Sequence, residues 1–253
     1  MRVKTIGIFD SGIGGLSVLA KAREMMPDVD FIYYADTEHV PYGTKSREEI
    51  VNYSVEAAKF LIKKGAEAIL VACNTATSMA VDTLRAVFDC PVVGMEPAVK
   101  PAVSHHPHER ILVCATPATI GGEKLHELLR RNAEGAEVDL CALPELVVFA
   151  ENGIFDSEIV SAYIRSRAAR EDYSACVLGC THFPYFKDSF RLVFPYAEMI
   201  DGTEGTVRRL CHVTGYERES SLDRGTVKYY NTGAAVSDTQ TLAFYEELQR
   251  RVR

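Results

Sequence analysis

Ala68-Ile69-Leu70-Val71-Ala72-Cys73-Asn74-Thr75-Ala76-Thr77 sets the fold class of this 253-residue chain. A short apolar run of this kind reads as a buried parallel strand. It stops on a cysteine and passes through Asn74 and Thr75, both good helix caps, into the helical stretch from Ser78 to Arg85. In an open α/β sheet, ligands bind beyond the carboxyl ends of the strands, where Cys73 falls. A helix beginning beside it favours thiolate over thiol and favours an anion nearby.

Further along, the pattern returns. Ala175-Cys176-Val177-Leu178-Gly179-Cys180-Thr181-His182-Phe183-Pro184 is again an apolar strand ending on a cysteine, with Thr181 placed as a cap and Pro184 suited to a helix start. Asp10, after the strand Thr5–Phe9, precedes Cys73 by 63 positions. Thr116, after the strand Arg110–Ala115, precedes Cys180 by 64. Such matched spacing predicts a duplicated α/β unit whose two lobes face each other across a ligand cleft. The expected architecture is two pseudo-symmetric three-layer α/β lobes with mainly parallel sheets and the active site between them. Residues 1–97 and 207–253 would form the first lobe, and residues 98–206 the second.

Composition narrows the function. With 28 basic and 35 acidic residues the net charge is −7, which argues against nucleic acid as a partner. No run approaches the roughly 18 apolar residues of a membrane span, and Met1 to Thr5 runs straight into a strand, so no secretion signal is expected. Seven cysteines without a regular framework then read as reduced thiols in a cytoplasm, and the Asn52–Ser54 sequon is set aside. Cys114, Cys141 and Cys176 lie in apolar strand-like runs, where a free cysteine is usually a small buried hydrophobe. His105, His106 and His108 precede a strand in a polar loop without a partner cluster, so no metal site is expected.

Other stretches punctuate the chain. Asp10-Ser11-Gly12-Ile13-Gly14-Gly15-Leu16-Ser17 is glycine-rich. However, Ser17 stands where the dinucleotide fingerprint takes a small residue, and Asp10 would repel phosphate. These glycines are expected to let backbone approach a small ligand. Pro41-Tyr42-Gly43 reads as a surface turn. Ser46 to Glu49 forms a capping box opening a helix that ends at Gly65. Leu146 to Glu151 is an apolar run closed by a carboxylate, which places Glu151 at a strand end or in a loop. Helices are expected from Pro117 through Arg131, from Thr203 to Val213 and from about Ser237 to Arg250, with a charged loop from Glu217 to Arg224 and a strand from Thr226 to Asn231.

Two opposed thiols fit removal of a proton from one face of a planarising carbon and its return to the other, one site starting as thiolate and the other as thiol. Asp10 near Cys73, and His182 with Glu151 near Cys180, are placed to tune them. A redox disulfide, a single acyl-transfer nucleophile and simple packing of both cysteines are the competing readings.

Phe9-Asp10-Ser11-Gly12, Pro41-Tyr42-Gly43, Ala72-Cys73-Asn74-Thr75-Ala76 and Gly179-Cys180-Thr181-His182-Phe183-Pro184 together resemble the glutamate racemases, in order and over nearly the whole chain. The related aspartate racemases typically carry Glu where His182 stands. The resemblance implies a cofactor-independent, cytoplasmic, usually homodimeric enzyme that interconverts L- and D-glutamate and supplies the D-form to peptidoglycan. It implies that Cys73 deprotonates D-glutamate with help from Asp10, and Cys180 L-glutamate with help from His182 and Glu151. Asp10, Ser11, Pro41, Tyr42, Gly43, Asn74, Thr75, Thr116, Thr119, Thr181 and His182 are implied to bind substrate. Two departures, Ala98 after Glu96-Pro97 and Pro117 after Thr116, lie beside the site. The chain lacks the N-terminal extension with which some members bind a peptidoglycan-precursor activator, so no such activation is expected. A racemase for another amino acid, such as aspartate, and a catalytically silent amino-acid-binding module are the alternatives.

Overall fold

The computed structural model describes residues 3–218 and 224–252, so most of the expected Glu217–Arg224 loop lies outside the described residues. In chain order the first half contains β1 (Thr5–Asp10), α1 (Leu16–Met25), β2 (Asp30–Ala35), a 3-10 turn (Tyr42–Thr44), α2 (Arg47–Lys63), β3 (Ala68–Val71), α3 (Asn74–Val87), β4 (Val92–Gly94) and α4 (Val99–His105). The second half contains β5 (Arg110–Ala115), α5 (Pro117–Ile120), α6 (Glu123–Asn132), β6 (Glu137–Ala142), α7 (Glu145–Glu151), α8 (Ser157–Arg167), β7 (Ala175–Leu178), a 3-10 turn (Phe183–Phe186), α9 (Lys187–Val193) and β8 (Glu198–Asp201). Then come α10 (Thr203–Thr214), β9 (Val227–Asn231), β10 (Ala234–Ala235) and α11 (Thr239–Arg251).

The strands build two sheets, ordered β10-β9-β2-β1-β3-β4 and β6-β5-β7-β8. Every pairing is parallel except the β9–β10 hairpin. The runs β2-β1-β3-β4 and β6-β5-β7-β8 repeat one topology, so the matched 63- and 64-residue spacings reflect one unit written twice. Three apolar layers complete the arrangement. One lies under α2 and α3 on the outer face of the first sheet, and one under α4 and α6 on the outer face of the second. The third, from Ile6 and Leu16 through Cys176 and Phe183 to Leu248, runs continuously between the sheets. The central strands of both sheets are buried on both faces, which explains their unalternated apolar sequences.

Local signals account for most boundaries. The capping box at Ser46 forms in full, with Glu49 N donating to Ser46 Oγ at 3.3 Å and Ser46 N donating to Glu49 Oε2 at 2.8 Å. Helix α11 is capped by Asp238, which accepts from Thr241 N at 2.8 Å. Three expectations need correction. Leu146 to Glu151 is helical, because a seven-residue run buried along one stripe has the same composition as a short strand. Gly121 and Gly122 split the helix expected through Arg131 into α5 and α6. His105 closes a helix rather than lying in a loop, and both His105 and His106 contact Glu198. Among the described residues no helix is long and apolar enough to cross a membrane.

Candidate active site

The first half-site is built from the carboxyl ends of β1 and β3. After β3 the chain steps through Ala72, whose N–H donates to Phe9 O at 2.8 Å, and reaches Cys73. Cys73 itself, not Asn74 or Thr75, caps α3, and its Sγ accepts from Ala76 N at 3.4 Å. The same sulfur donates to Ser11 Oγ at 3.6 Å. Burial, and then the Asp10 carboxylate, push the Cys73 thiol up to about 12, while the Ala76 amide and Ser11 act in the opposite sense. The helix terminus favours the thiolate through the Ala76 amide, as expected, but burial and the Asp10 carboxylate outweigh it. Asp10 is fully buried. Its Oδ2 accepts from Gly12 N at 3.2 Å and its Oδ1 from Thr181 Oγ1 at 3.1 Å. Burial raises Asp10 to about 6 against the opposing charge of His182.

The second half-site is arranged differently. Cys180 follows β7 and leads into a 3-10 turn with Pro184 in its opening turn. His182, not Thr181, occupies the cap position. Cys180 Sγ lies 3.7 Å from His182 Nδ1, and His182 Nε2 lies 2.7 Å from Glu151 Oε1. Burial alone would lower His182, but its bonds to Cys180 and Glu151 outweigh this and hold it well above the usual imidazole range. Glu151 is the last residue of α7, and its Oε1 also accepts from Ile13 N at 2.9 Å.

The glycine loop makes this convergence sterically feasible. A Cβ at Gly12 would sit 1.9 Å from Glu151 Oε1. One at Gly14 would sit 2.4 Å from Thr181 Oγ1 and 2.5 Å from His182 Nδ1. The glycines thus admit side chains of the opposite lobe, a more specific role than the ligand approach expected of them. Ser17 and Tyr185, which the sequence reading missed, fasten the same seam. Ser17 Oγ donates to Thr181 O at 3.1 Å and Tyr185 Oη to Ile13 O at 2.8 Å.

On the other side of the cleft, Thr75 Oγ1 lies 2.8 Å from Thr116 Oγ1 and 3.2 Å from Thr119 Oγ1, joining the lobes through hydroxyl groups. Gly43 packs against Thr116 so closely that a Cβ there would lie 2.8 Å from Thr116 Cβ. Tyr42, expected on a surface turn, is buried, and its hydroxyl donates to Asp36 Oδ2. Asn74 Nδ2 donates to Met95 O at 3.3 Å, while its buried Oδ1 has no partner among the described residues. Pro41 stays partly exposed beside the cluster, its carbonyl accepting from Thr44 Oγ1. Buried Asp36 was also missed, although it follows β2 as directly as Asp10 ends β1.

The arrangement places two buried thiols, 5% and 6% exposed, beyond the ends of β3 and β7, Cys180 in contact with His182 and Cys73 within the field of the Asp10 carboxylate. A hollow of about 740 Å³ lies elsewhere, with Ser17 and Pro184 in its wall, and neither cysteine lines it. Among the described residues no group of three or more His, Cys, Asp or Glu side chains is arranged to hold a metal ion.

Residues 15–210 match the profile of the family described as Asp/Glu/Hydantoin racemase. The chain is 48% identical over 243 residues to a glutamate racemase of Campylobacter concisus, covering 94% of this chain and 93% of the relative. The crystal structure of glutamate racemase from Campylobacter jejuni superposes with a TM-score of 0.82 at 30% identity, covering 98% of this chain and 99% of that one. The Escherichia coli glutamate racemase, solved in complex with L-glutamate and the activator UDP-MurNAc-ala, gives a TM-score of 0.82 at 30% identity over 98% of this chain and 95% of its own.

Proposed function

We infer the reaction from one premise: the chain belongs to the Asp/Glu/Hydantoin racemase family. It is an isomerase that interconverts L- and D-glutamate by exchanging the α-proton between two cysteines. The observation that carries this is the pair of buried thiols beyond the ends of β3 and β7, Cys180 in contact with His182 and Cys73 within the field of the Asp10 carboxylate. Binding alone needs no such pair, and packing alone needs no Asp10 or His182–Glu151.

In one direction the Cys73 thiolate takes the α-hydrogen of D-glutamate, the α-carbon flattens, and the Cys180 thiol delivers its hydrogen to the opposite face as L-glutamate forms. The reverse direction exchanges the roles. Because burial holds Cys73 as a thiol, it needs a proton acceptor. Asp10, with its pKa near 6, is largely ionised at neutral pH and supplies one. On the other side, His182 held as an imidazolium by Glu151 stabilises the Cys180 thiolate that takes the α-proton of L-glutamate; in the opposite direction it returns a proton to Cys180 once the thiol has given its own to the α-carbon. Two substrate carboxylates require several donors, a role this reading assigns to Ser11, Asn74, Thr75, Thr116, Thr119 and Thr181 with the backbone of Tyr42 and Gly43. The glutamate named in the Escherichia coli complex supports this substrate. The same reading extends to D-glutamate supply for peptidoglycan, a cytoplasmic homodimer, and a lobe division at residues 1–97 with 207–253 against 98–206.

The test is solvent deuterium incorporation into each glutamate enantiomer, without added cofactor, beside turnover of aspartate. Wild type should exchange with inversion and prefer glutamate. Cys73→Ala and Cys180→Ala should each lose racemisation by about 10³-fold or more. Full activity in either variant would reduce that cysteine to packing, and preference for aspartate would change the substrate.

A further inference from the structure

We propose that Asp36 is a positioning residue of this enzyme, holding the Tyr42–Gly43 wall of the substrate cleft in register through Tyr42 and His39. This rests on the racemase reading of the site. Asp36 follows β2 directly, is 2% exposed, and its N–H donates to Asp10 O at 3.0 Å, so its backbone is tied to the first half-site. Its carboxylate faces away along the loop that follows. Oδ2 accepts from Tyr42 Oη, and Oδ1 lies 2.8 Å from His39 Nδ1, which carries the proton in that bond.

Burying a carboxylate is costly unless donors surround it. Here two of those donors come from one short loop, so the carboxylate folds residues 37–44 onto itself. Outside, the His39 ring stacks on Tyr53 of α2 at 3.9 Å and 17°. Behind, Thr232 Oγ1 lies 3.5 Å from Asp36 Oδ1 and accepts from Glu38 N at 3.1 Å, bringing the β9–β10 turn into the clamp. Inside, the Tyr42 ring packs near Phe9 at 6.1 Å, and the next residue, Gly43, meets Thr116 of the opposite lobe with no room for a Cβ. The Tyr42 hydroxyl is committed to Asp36. The loop therefore meets the cleft with its backbone, and the position of that backbone depends on the Asp36 bond.

Releasing Tyr42 should weaken substrate binding without altering the thiols. For enantiomers of equal free energy kcat/KM is the same in both directions, so a loss of binding raises KM for both by one factor and leaves both kcat values alone. We expect Asp36→Asn to raise KM about tenfold for L- and D-glutamate alike, with kcat within about threefold. Tyr42→Phe removes one oxygen and keeps the test available should the first variant not fold; it should show the same KM rise. The double variant should be no worse than the worse single one, because both act through one bond. A fall in kcat in one direction, accompanied by its own KM, would make Asp36 an acid–base group and overturn the proposal. So would a lowered melting temperature with unchanged KM, or multiplying effects in the double variant. Wild type inert on glutamate and aspartate would instead remove the racemase reading on which the proposal stands.

Discussion

Asp10 carries opposing consequences for stability and for rate. Burial lifts its folded-state pKa to about 6, well above the ordinary carboxylate value. A carboxyl raised in this way favours the fold while it is neutral in both states, below about pH 4, and that contribution is lost as pH rises through about 6. Asp10→Asn should therefore melt roughly 5 °C higher than wild type at pH 8 and at about the same temperature at pH 4. Activity should move the other way. On the proposed mechanism the Asp10 carboxylate that assists Cys73 exists above about pH 6, so wild-type racemisation should fall as pH drops through that value. The variant should be slower by about 10²-fold with that limb missing. Paired thermal melts and pH–rate profiles check both halves, and an unchanged acidic limb would assign it to another group. The cysteine pair and Asp10 were legible in sequence because each sits at the end of an apolar strand. Asp36 shares that strand-end position but, like Ser17, was not legible as a site residue, since nothing local shows partners that lie on another loop or in the other lobe.

At the scale of elements, most strands and capped helices follow from local pattern: an apolar run of four to six residues, a Ser–Glu box, an Asp cap. The misreading with most bearing on the site is α7, where seven residues are too few to separate a buried helix from a strand by periodicity. The consequence is functional. As a helix, α7 ends with Glu151 directed at Ile13 N and His182 Nε2, a placement that a strand end would not provide. The glycine loop opposite was legible as a loop, but its reason for glycine was not, because that reason is a contact 139 positions away, between Gly12 and Glu151. Gly12→Ala should displace the Glu151 carboxylate, leave His182 with Cys180 alone and bring its pKa down toward the usual imidazole range. We expect kcat to fall about 10²-fold while the far-ultraviolet spectrum stays native. Titrating the His182 resonance in wild type and variant checks the cause, and an unshifted titration would detach Glu151 from His182.

Across the whole molecule the two lobes are joined by seams of different character. One is welded by the continuous apolar core and by the Ser17–Thr181 and Tyr185–Ile13 bonds. The other consists of the threonine cluster, the Gly43–Thr116 contact and an ion pair at 2.8 Å between Lys124 of α6 and Asp82 of α3. Because both thiols are almost fully buried, substrate must enter by parting one seam, and the second has far less apolar surface to separate. Gly122 and Ser78 face each other there, with a Cβ at Gly122 only 2.4 Å from Ser78 Oγ, so cysteines at both positions would be in direct contact and are expected to form a disulfide on oxidation. Ser78→Cys with Gly122→Cys should racemise glutamate when reduced, lose at least about 90% of that activity on oxidation, and regain it with dithiothreitol. Each single variant, oxidised in parallel, controls for damage to Cys73 and Cys180. An oxidised double variant that still turns over at the reduced rate would mean that substrate passes without opening this seam, and entry would then have to be sought on the side of the glycine loop.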